Sequence, residues 1–311
     1  MAVQQGTPQD DVLVGNSADD PNVVYGLGGN DRLYGTGGVD SLYGGDGNDR
    51  LDGRGADYGG FTLNDYLEGG RGDDLYFVRE NQDYIYELDD EGVDSVLSFS
   101  LYYSLGGNIE NLSLAGGARW GYGNDLDNII NGNSSENYIA AGGGADAFSG
   151  ADGADLIRGG TGNDWIRGGT GADFLAGEEG ADKFAYYTVT ESLVGDRDII
   201  TDFTGLASGT PASERDRIDL HRIDADSSTA ADDAFRFLGT AAFTGRAGEL
   251  RIVAETLEVV DPNPDWFWPT EPIVYTTAGY IVEGDVTGDG MADFQLAVAT
   301  GGVLLAGDFS L

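Results

Sequence analysis

A nine-residue period is the feature of this sequence that most restricts its fold. Residues 123–185 divide into seven consecutive nonapeptides, the last five reading AGGGADAFS, GADGADLIR, GGTGNDWIR, GGTGADFLA and GEEGADKFA. Similar copies occur at 26–52 and 69–77, and 6–14 is a degenerate copy. A flexible Gly/Asp-rich linker has no reason to keep a large apolar residue at the eighth place of successive copies. The period therefore predicts stacked repeats.

Each place in the nonapeptide has a physical role. Glycines at the first, second and fourth places permit a tight turn whose carbonyl groups point inward. The sixth-place aspartate adds a hard anionic oxygen, and Ca²⁺ takes about six to eight oxygen ligands. The last three places are extended, with the eighth side chain turned to the interior. Two nonapeptides make one coil, so we expect loops 18 residues apart, such as those of Asp146 and Asp164 or Asp155 and Asp173, to hold ions between them.

The predicted calcium ligands are the sixth-place carboxylates, some of the residues beside them and the fourth-place glycines. The carboxylates are Asp31, Asp40, Asp49, Asp65, Asp74, Asp146, Asp155, Asp164, Asp173 and Asp182. The neighbouring residues are Asn30, Asn48, Asp73 and Asn163, and the glycines are Gly29, Gly47, Gly72, Gly144, Gly153, Gly162, Gly171 and Gly180. Asn128 and Asn137 replace the aspartate in the first two copies of the second block, so those turns are expected to bind weakly or not at all.

The glycine period divides the chain into four segments. A first repeat block covers residues 6–74, and a second covers 123–185. Between them, residues 75–122 lose the period and show β-branched and aromatic residues with Gly, Asn and Asp breaks, a pattern typical of short β-strands. The repeats stop before the C-terminal segment, residues 186–311.

The G-G-x-G-x-D-x-U-x pattern resembles the RTX, or haemolysin-type, calcium-binding repeat. The C-terminal segment resembles the domain that follows the β-roll in serralysin-type metalloproteases, through DRDIITDF at 196–203, DRIDL at 216–220 and VEGDVTGDGMADF at 282–294. The resemblance implies an all-β fold: a parallel β-roll in two blocks with a β-rich spacer, then a β-sandwich-like domain. It also implies several bound Ca²⁺ ions.

A second oxygen-rich motif lies near the C-terminus. Places 1, 3, 5 and 9 of an EF-hand-like loop are matched by Asp285, Thr287, Asp289 and Asp293. Gly290 stands at place 6, but Leu296 stands at place 12, where an EF-hand has a bidentate glutamate. The alternative is a polar β-turn between two strands.

The charge balance points to cations as partners. With 16 Lys and Arg against 55 Asp and Glu, the formal net charge is −39. This balance excludes nucleic acid as an expected partner and disfavours binding to anionic membranes. The absence of cysteine excludes disulfides, zinc–thiolate sites and thiol nucleophiles. No apolar run approaches the length of a membrane helix.

The two ends of the sequence indicate which export route to expect. The start, MAVQQG, lacks the charged and apolar regions of a Sec signal. The end, VLLAGDFSL, resembles the uncleaved C-terminal signal of type I secretion substrates, with Asp308, Phe309 and Leu311 as its marked residues. By itself it could also be an ordinary last strand. We expect a protein that a Gram-negative type I transporter exports to the medium or cell surface.

Catalysis is not expected. The chain has one histidine, His221, so it cannot contain the His-Glu-x-x-His zinc motif of serralysin-like proteases. Two functions remain: a self-standing secreted protein that acts by binding or adhesion, and an export-and-folding module of a larger enzyme such as a protease, lipase or alginate epimerase. A reading frame beginning at Met1 favours the first.

A proline-rich aromatic stretch departs from the resemblance. Residues 261–272 read DPNPDWFWPTEP and contain Trp266 and Trp268. Such a loop can stack on a glycan or on a protein surface. The alternative is a β-hairpin insertion that packs its own aromatic side chains.

Overall fold

A computed structural model describes residues 2–16, 21–54, 64–79, 83–208, 211–261 and 273–311. The described chain is all-β apart from short 3-10 helices at Val189–Glu191, Leu206–Ser208, Ala212–Glu214 and Ala306–Asp308. None of the helices in these ranges could cross a membrane. The chain forms two compact units, Met1–Asn133 and Ser134–Leu311.

The first unit is a stack of short strands. In chain order they are β1 (Ala2–Gln5), β2 (Val12–Val14), β3 (Asn22–Gly28), β4 (Arg32–Tyr34), β5 (Ser41–Asp46), β6 (Arg50–Asp52), β7 (Tyr66–Arg71), β8 (Leu75–Val78), β9 (Tyr84–Ile85), β10 (Ser95–Ser98), β11 (Tyr102–Ser104), β12 (Asn111–Leu114), β13 (Trp120–Tyr122) and β14 (Ile129–Asn131). Successive strands belong to alternate sheets: β1, β3, β5, β7 and β9 pair in parallel, as do the even-numbered strands β2 to β14. β11 pairs with β13. This is the parallel coil that the repeats predict, and the spacer strands β10 and β12 continue it.

The second unit repeats this arrangement and extends it. Its strands are β15 (Tyr138–Gly143), β16 (Ala147–Asp152), β17 (Leu156–Thr161), β18 (Trp165–Thr170), β19 (Phe174–Glu179), β20 (Lys183–Ala185), β21 (Ile199–Ile200), β22 (Arg217–Asp219), β23 (Arg236–Phe237), β24 (Glu249–Asp261), β25 (Ile273–Asp285), β26 (Phe294–Ala299) and β27 (Phe309–Ser310). One sheet has the order β16-β18-β20-β22-β27 and the other β15-β17-β19-β21-β26-β25-β24-β23. β24, β25 and β26 are antiparallel neighbours. The C-terminal segment thus adds strands to both sheets of the repeats.

Strand register follows the 18-residue period. β15 and β17 align Ile139 with Ile157, and β16 and β18 align Phe148 with Ile166. All four residues stand at the eighth place of their nonapeptides and are buried. The same place is buried at Leu33, Leu42, Leu51, Leu67, Tyr76, Leu175 and Phe184. Burying an aliphatic or aromatic side chain contributes about 1.5–3 kcal/mol, so these columns form the core of each stack.

The C-terminal strands share an apolar core with the last repeats. Leu257 on β24 and Ile281 on β25 lie in one buried cluster with Leu156 and Phe174 of the repeat strands. This packing joins the antiparallel strands to the solenoid within the second unit.

Candidate metal centre

The repeat turns depend on glycine at the fourth place. Gly47 and Gly162 have φ angles of 134° and 136°, a region that side chains disfavour. A Cβ atom on Gly162 would lie 1.6 Å from the carbonyl oxygen of Gly144 in the turn 18 residues earlier. Positive φ also occurs at Gly29, Gly72, Gly144, Gly153, Gly171 and Gly180. These glycines let adjacent turns stack at backbone contact distance.

Sixth-place aspartates form ladders between turns of the second unit. The amide of Asp146 donates to Oδ1 of Asp164, and the amide of Asp164 donates to Oδ1 of Asp182, each at 2.9 Å. On the other side the amide of Asp155 donates to Oδ1 of Asp173 at 2.8 Å. The structure therefore brings together the aspartate pairs that the 18-residue spacing predicts.

The first unit contains equivalent ladders. The amide of Asp31 donates to Oδ1 of Asp49 at 2.7 Å, and that of Asp49 donates to Oδ1 of Asp74 at 2.6 Å. The amide of Asp40 donates to Oδ1 of Asp65 at 2.8 Å. All ten predicted carboxylates are buried side chains within such ladders.

The second carboxylate oxygen of these aspartates, Oδ2, is the candidate metal ligand of each turn. Oδ2 is buried without a hydrogen-bond partner in the structure at Asp31, Asp49, Asp74, Asp155, Asp164 and Asp173. A Cβ built on Gly159 would lie 2.1 Å from Oδ2 of Asp164 and 2.7 Å from the carbonyl oxygen of Gly177. Carboxylate and carbonyl oxygens thus converge at the first-place glycine. This all-oxygen donor set fits a hard divalent cation, and a site built from both carboxylate and backbone carbonyl oxygens is typical of Ca²⁺.

Burial has a strong effect on the protonation of these groups. It raises the pKa of Asp49, Asp155, Asp164 and Asp173 to about 7 and that of Asp74 to about 8, although backbone amide donors act in the opposite direction. Without a cation these carboxyl groups are thus partly protonated near neutral pH. A bound cation would favour the charged form.

Comparison with known proteins agrees with this geometry. The family model for the RTX calcium-binding nonapeptide repeat matches four copies, at residues 25–57, 60–85, 122–157 and 149–184. The chain carries RTX calcium-binding repeats. The RTX matches end before the C-terminal segment begins, so the family match concerns the repeat blocks.

Two further similarities involve enzymes. An 80-residue stretch is 39% identical to endo-1,3-1,4-beta-glycanase ExsH of Rhizobium meliloti (strain 1021). That stretch is 26% of this chain and spans only 17% of the glycanase. The solution structure of the AlgE6R3 subunit from the Azotobacter vinelandii mannuronan C5-epimerase matches 60% of this chain and 78% of that subunit, with 20% identity. Its TM-score of 0.19 is too low to establish a shared fold.

The predicted residues beside the RTX aspartates lie in an outer, exposed row. Asn30 accepts the amide of Asn48 at 2.9 Å, and Asn48 accepts the amide of Asp73 at 3.1 Å. Asn163 accepts the amide of Ala181 at 2.9 Å. These side chains link successive turns at the surface, whereas the sixth-place carboxylates face inward. Their role as calcium ligands stays a prediction.

The ladders extend beyond the RTX match through residues that sequence reasoning missed. The amide of Asp74 donates to Asp94 at 2.9 Å, that of Asp173 to Asp198 at 2.9 Å, and that of Asp182 to Asp216 at 3.0 Å. Their sequence separations are 20, 25 and 34 residues. The 18-residue period could not find them, but an Asp immediately before a short apolar strand was an available signal.

The EF-hand-like loop joins β25 to β26 as a polar turn. Asp285 is buried and accepts the amides of Gly288 and Gly290 at 2.6 and 2.9 Å. Asp293 accepts the amides of Val286 and Thr287 at 2.9 and 3.0 Å. Thr287 and Asp289 are exposed. These contacts match the turn alternative, and a calcium role for Asp285, Thr287, Asp289 and Asp293 stays a prediction.

The C-terminal residues are part of the sheet. Asp308 is buried and accepts the amide of Leu206 at 2.7 Å, and Phe309 pairs with Ile218 of β22. Leu311 is partly exposed. The structure thus gives this segment the role of a last strand, and its role in export stays a prediction. The Trp266–Trp268 stretch lies outside the described residues.

Proposed function

We propose that this chain is a secreted protein that folds outside the cell when Ca²⁺ binds its RTX turns, and that acts there by binding or adhesion. The observation that carries the proposal is the row of buried carboxylate oxygens without hydrogen-bond partners. Leaving a buried polar atom unsatisfied costs about 1–3 kcal/mol, and more when it is charged. Several such atoms per stack make the calcium-free fold unfavourable.

Calcium concentration then controls folding. Metal binding to a site that exists only in the folded state contributes directly to folding free energy. Extracellular calcium modules have dissociation constants of about 10⁻⁴–10⁻³ M. At the low free Ca²⁺ of a bacterial cytoplasm the repeats would stay unfolded and suited to passage through a transporter.

Circular dichroism of the full chain tests this coupling. We expect a β-type far-UV spectrum in millimolar Ca²⁺ and its loss with a calcium chelator, with recovery when Ca²⁺ is restored. Mg²⁺ at the same concentration is the control for general screening of the net charge of −39. Identical spectra in Ca²⁺ and chelator would refute calcium-driven folding.

The one histidine of the sequence lies beside a carboxylate at the end of β22. His221 is half-exposed, and its Nδ1 contacts the carboxylate of Asp219, which also pairs with Lys183. Asp219 thus contacts both side chains at the end of β22.

The extracellular target that we propose is a glycan or a protein surface, contacted through the Trp266–Trp268 stretch. Loss of glycan or surface binding in a Trp266→Ala, Trp268→Ala variant would support that target, and unchanged binding would refute it.

Export through the C-terminal residues is tested by deletion. Removing residues 308–311 should block release into the medium by a type I transporter while calcium binding by residues 26–185 remains. The matched control is Ile218→Ala, which weakens the β22–β27 pair but keeps the C-terminal residues. If the shortened chain is exported as efficiently as the full-length chain, the C-terminal residues form a strand and are not an export signal.

A second candidate is an export-and-folding module of a larger secreted enzyme. The observation that favours it is the 39% identity to a glycanase in which the matched stretch is only 17% of the length. An antibody against residues 123–185 can separate the two on culture medium of the source cells. A species near 32.7 kDa supports the self-standing protein, and a much larger species supports the module.

A further inference from the structure

A buried cluster of three carboxylates lies where the first RTX block meets the spacer. Asp74 comes from the last repeat of that block, whereas Glu87 and Asp94 come from the spacer. One carboxylate oxygen of each lies within 4.8 Å of the other two. The three residues are only 2%, 5% and 1% exposed. The RTX match ends at residue 85, so two of the three residues lie outside it.

Glu87 occupies the place that the repeats give to a first-place glycine. β9 aligns Ile85 with Leu67 of β7, and the amide of Tyr86 donates to the carbonyl oxygen of Leu67. Glu87 therefore stands over Gly69, 18 residues earlier, whose amide donates to its Oε1 at 3.2 Å. A carboxylate thus stands where RTX turns present only backbone.

The two oxygens of Glu87 have different surroundings. Oε1 accepts the hydroxyl of Tyr76 as well as the Gly69 amide, which fixes the side chain. Oε2 is buried without a hydrogen-bond partner in the structure, as is Oδ2 of Asp74. None of the ion pairs in the described chain involves Asp74, Glu87 or Asp94. Two of the three residues therefore contribute a buried oxygen without a hydrogen-bond partner.

We propose that Asp74, Glu87 and Asp94 form a Ca²⁺ site at this junction, in which an RTX aspartate is joined by two carboxylates from outside the RTX match. Ca²⁺–oxygen distances are about 2.3–2.6 Å, so ligands on opposite sides of the ion lie about 4.6–5.2 Å apart. One carboxylate oxygen from each of the three residues lies within 4.8 Å of the others, so a single ion can contact all three. Three carboxylates give this site more negative charge than an RTX turn with one or two, and charge count raises calcium affinity. The site binds before the RTX turns and fixes the end of the first block.

Calorimetric titration of the full chain with Ca²⁺ tests the site. Glu87→Gln should bind one ion fewer than the wild type and lose the tightest phase. Glu91→Gln, which removes the same charge from a partly exposed position in the same segment, should titrate like the wild type. Tyr76→Phe removes the hydroxyl contact but no carboxylate, so it should keep the ion. Equal stoichiometry and affinity for Glu87→Gln and wild type would overturn the proposal, as would equal losses for Glu87→Gln and Tyr76→Phe.

A direct measurement does not depend on a variant that folds. Crystals of the wild-type chain grown with Tb³⁺, a calcium substitute, should give an anomalous peak within about 2.6 Å of oxygens from Asp74, Glu87 and Asp94. Peaks at the RTX turns without one at this cluster would overturn the site while leaving the proposed calcium-driven folding intact.

Discussion

The first unit contains two kinds of turn on the same kind of stack. In residues 26–77 the RTX turns carry buried aspartates, whereas turns in residues 95–133 carry asparagines. Both regions pair strands in parallel, and both bury a column of apolar side chains, such as Leu33 and Leu51 in one and Leu112 and Ile130 in the other. The difference between the regions therefore lies in the turns and not in the core.

Asparagine turns complete their own hydrogen bonds. Oδ1 of Asn128 accepts the amide of Asn124 at 2.8 Å, and the side-chain amide of Asn124 donates to the carbonyl oxygens of Gly106 and Ile109 at 2.7 and 2.8 Å. An amide side chain both donates and accepts, whereas an ionised carboxylate only accepts. The comparison shows that the same apolar stacking occurs with both kinds of turn, and from it we expect only the aspartate turns to need a cation.

The largest expected effect comes from removing a carboxylate in the middle of a ladder. Asp164→Ala changes two neighbouring turns, because Asp164 accepts from Asp146 and donates to Asp182. Losing a charged interaction of about 1.5–3 kcal/mol should weaken calcium binding at the affected turns by about tenfold or more. Asn137→Ala is the comparison, and calorimetric titration measures both. Equal losses of stoichiometry and affinity would contradict the stacking of ion sites.

The converse substitution places a carboxylate in an asparagine turn. Asn128→Asp removes the donor that contacts Oδ1 of Asn124 and adds a buried charge. In chelator the variant should lose about 1–3 kcal/mol of stability, and Ca²⁺ should restore part of it. The control is Asn131→Asp, the same change at an exposed position on β14. Denaturant unfolding that shows equal stability for both variants would contradict the role of the amide.

A moderate effect is expected from pH in the absence of calcium. Burial raises the pKa of Asp49, Asp155 and Asp164 from 3.8 to about 7 in the folded chain. A carboxyl whose folded pKa is raised contributes stability that is present below its unfolded pKa and is lost as pH rises through its folded value. In chelator, β-type circular dichroism should therefore be stronger at about pH 5 than at about pH 8. Calcium affinity should change in the opposite direction, and pH-independent spectra in chelator would argue against buried carboxyls.

The smallest effect concerns the turn backbone. Ala151 has a φ of 81° at the second place of its nonapeptide, where Gly160 and Gly169 have 112° and 115°. Ala151→Gly should relieve about 1–2 kcal/mol of strain and lose about 0.5–1 kcal/mol to unfolded-chain entropy, for a net stabilisation of up to about 1.5 kcal/mol. Ala140→Gly, within β15, should instead destabilise by about 0.5–1 kcal/mol. Thermal unfolding in Ca²⁺ measures both, and a destabilised Ala151→Gly would show that the turn is not strained there.

The sequence predicts the stack well because its period is local. An apolar residue such as Ile157 or Ile166 at the eighth place specifies an inward side chain, and glycine specifies the turn before it. The ladder contacts beyond the repeats do not follow the period. Asp198 accepts from Asp173 and Asp216 accepts from Asp182, 25 and 34 residues apart, because extra residues separate these turns. Glu87 was missed because a glutamate at a glycine place interrupts the pattern that identifies the turn.

Spacing also does not distinguish a metal ligand from a turn acceptor. Asp285 and Asp293 have EF-hand-like positions, yet their oxygens accept backbone amides within the β25–β26 turn. The same residue type at the same spacing serves both purposes, and only the contacts of each oxygen separate them. By this criterion the aspartates with one oxygen bonded and one orphaned, such as Asp49, Asp155 and Asp164, are the stronger candidates, whereas both oxygens of Asp40 accept hydrogen bonds.

Hydrogen exchange of the full chain with and without Ca²⁺ tests the central claim most directly. The amides of Asp31, Asp49, Asp155 and Asp164 donate to ladder carboxylates and should be protected in Ca²⁺. In chelator we expect peptides covering residues 26–77 and 138–185 to lose protection, with a smaller change in residues 95–133. If the RTX turns are equally protected in Ca²⁺ and in chelator, a cation does not stabilise the buried carboxylates and the account is wrong.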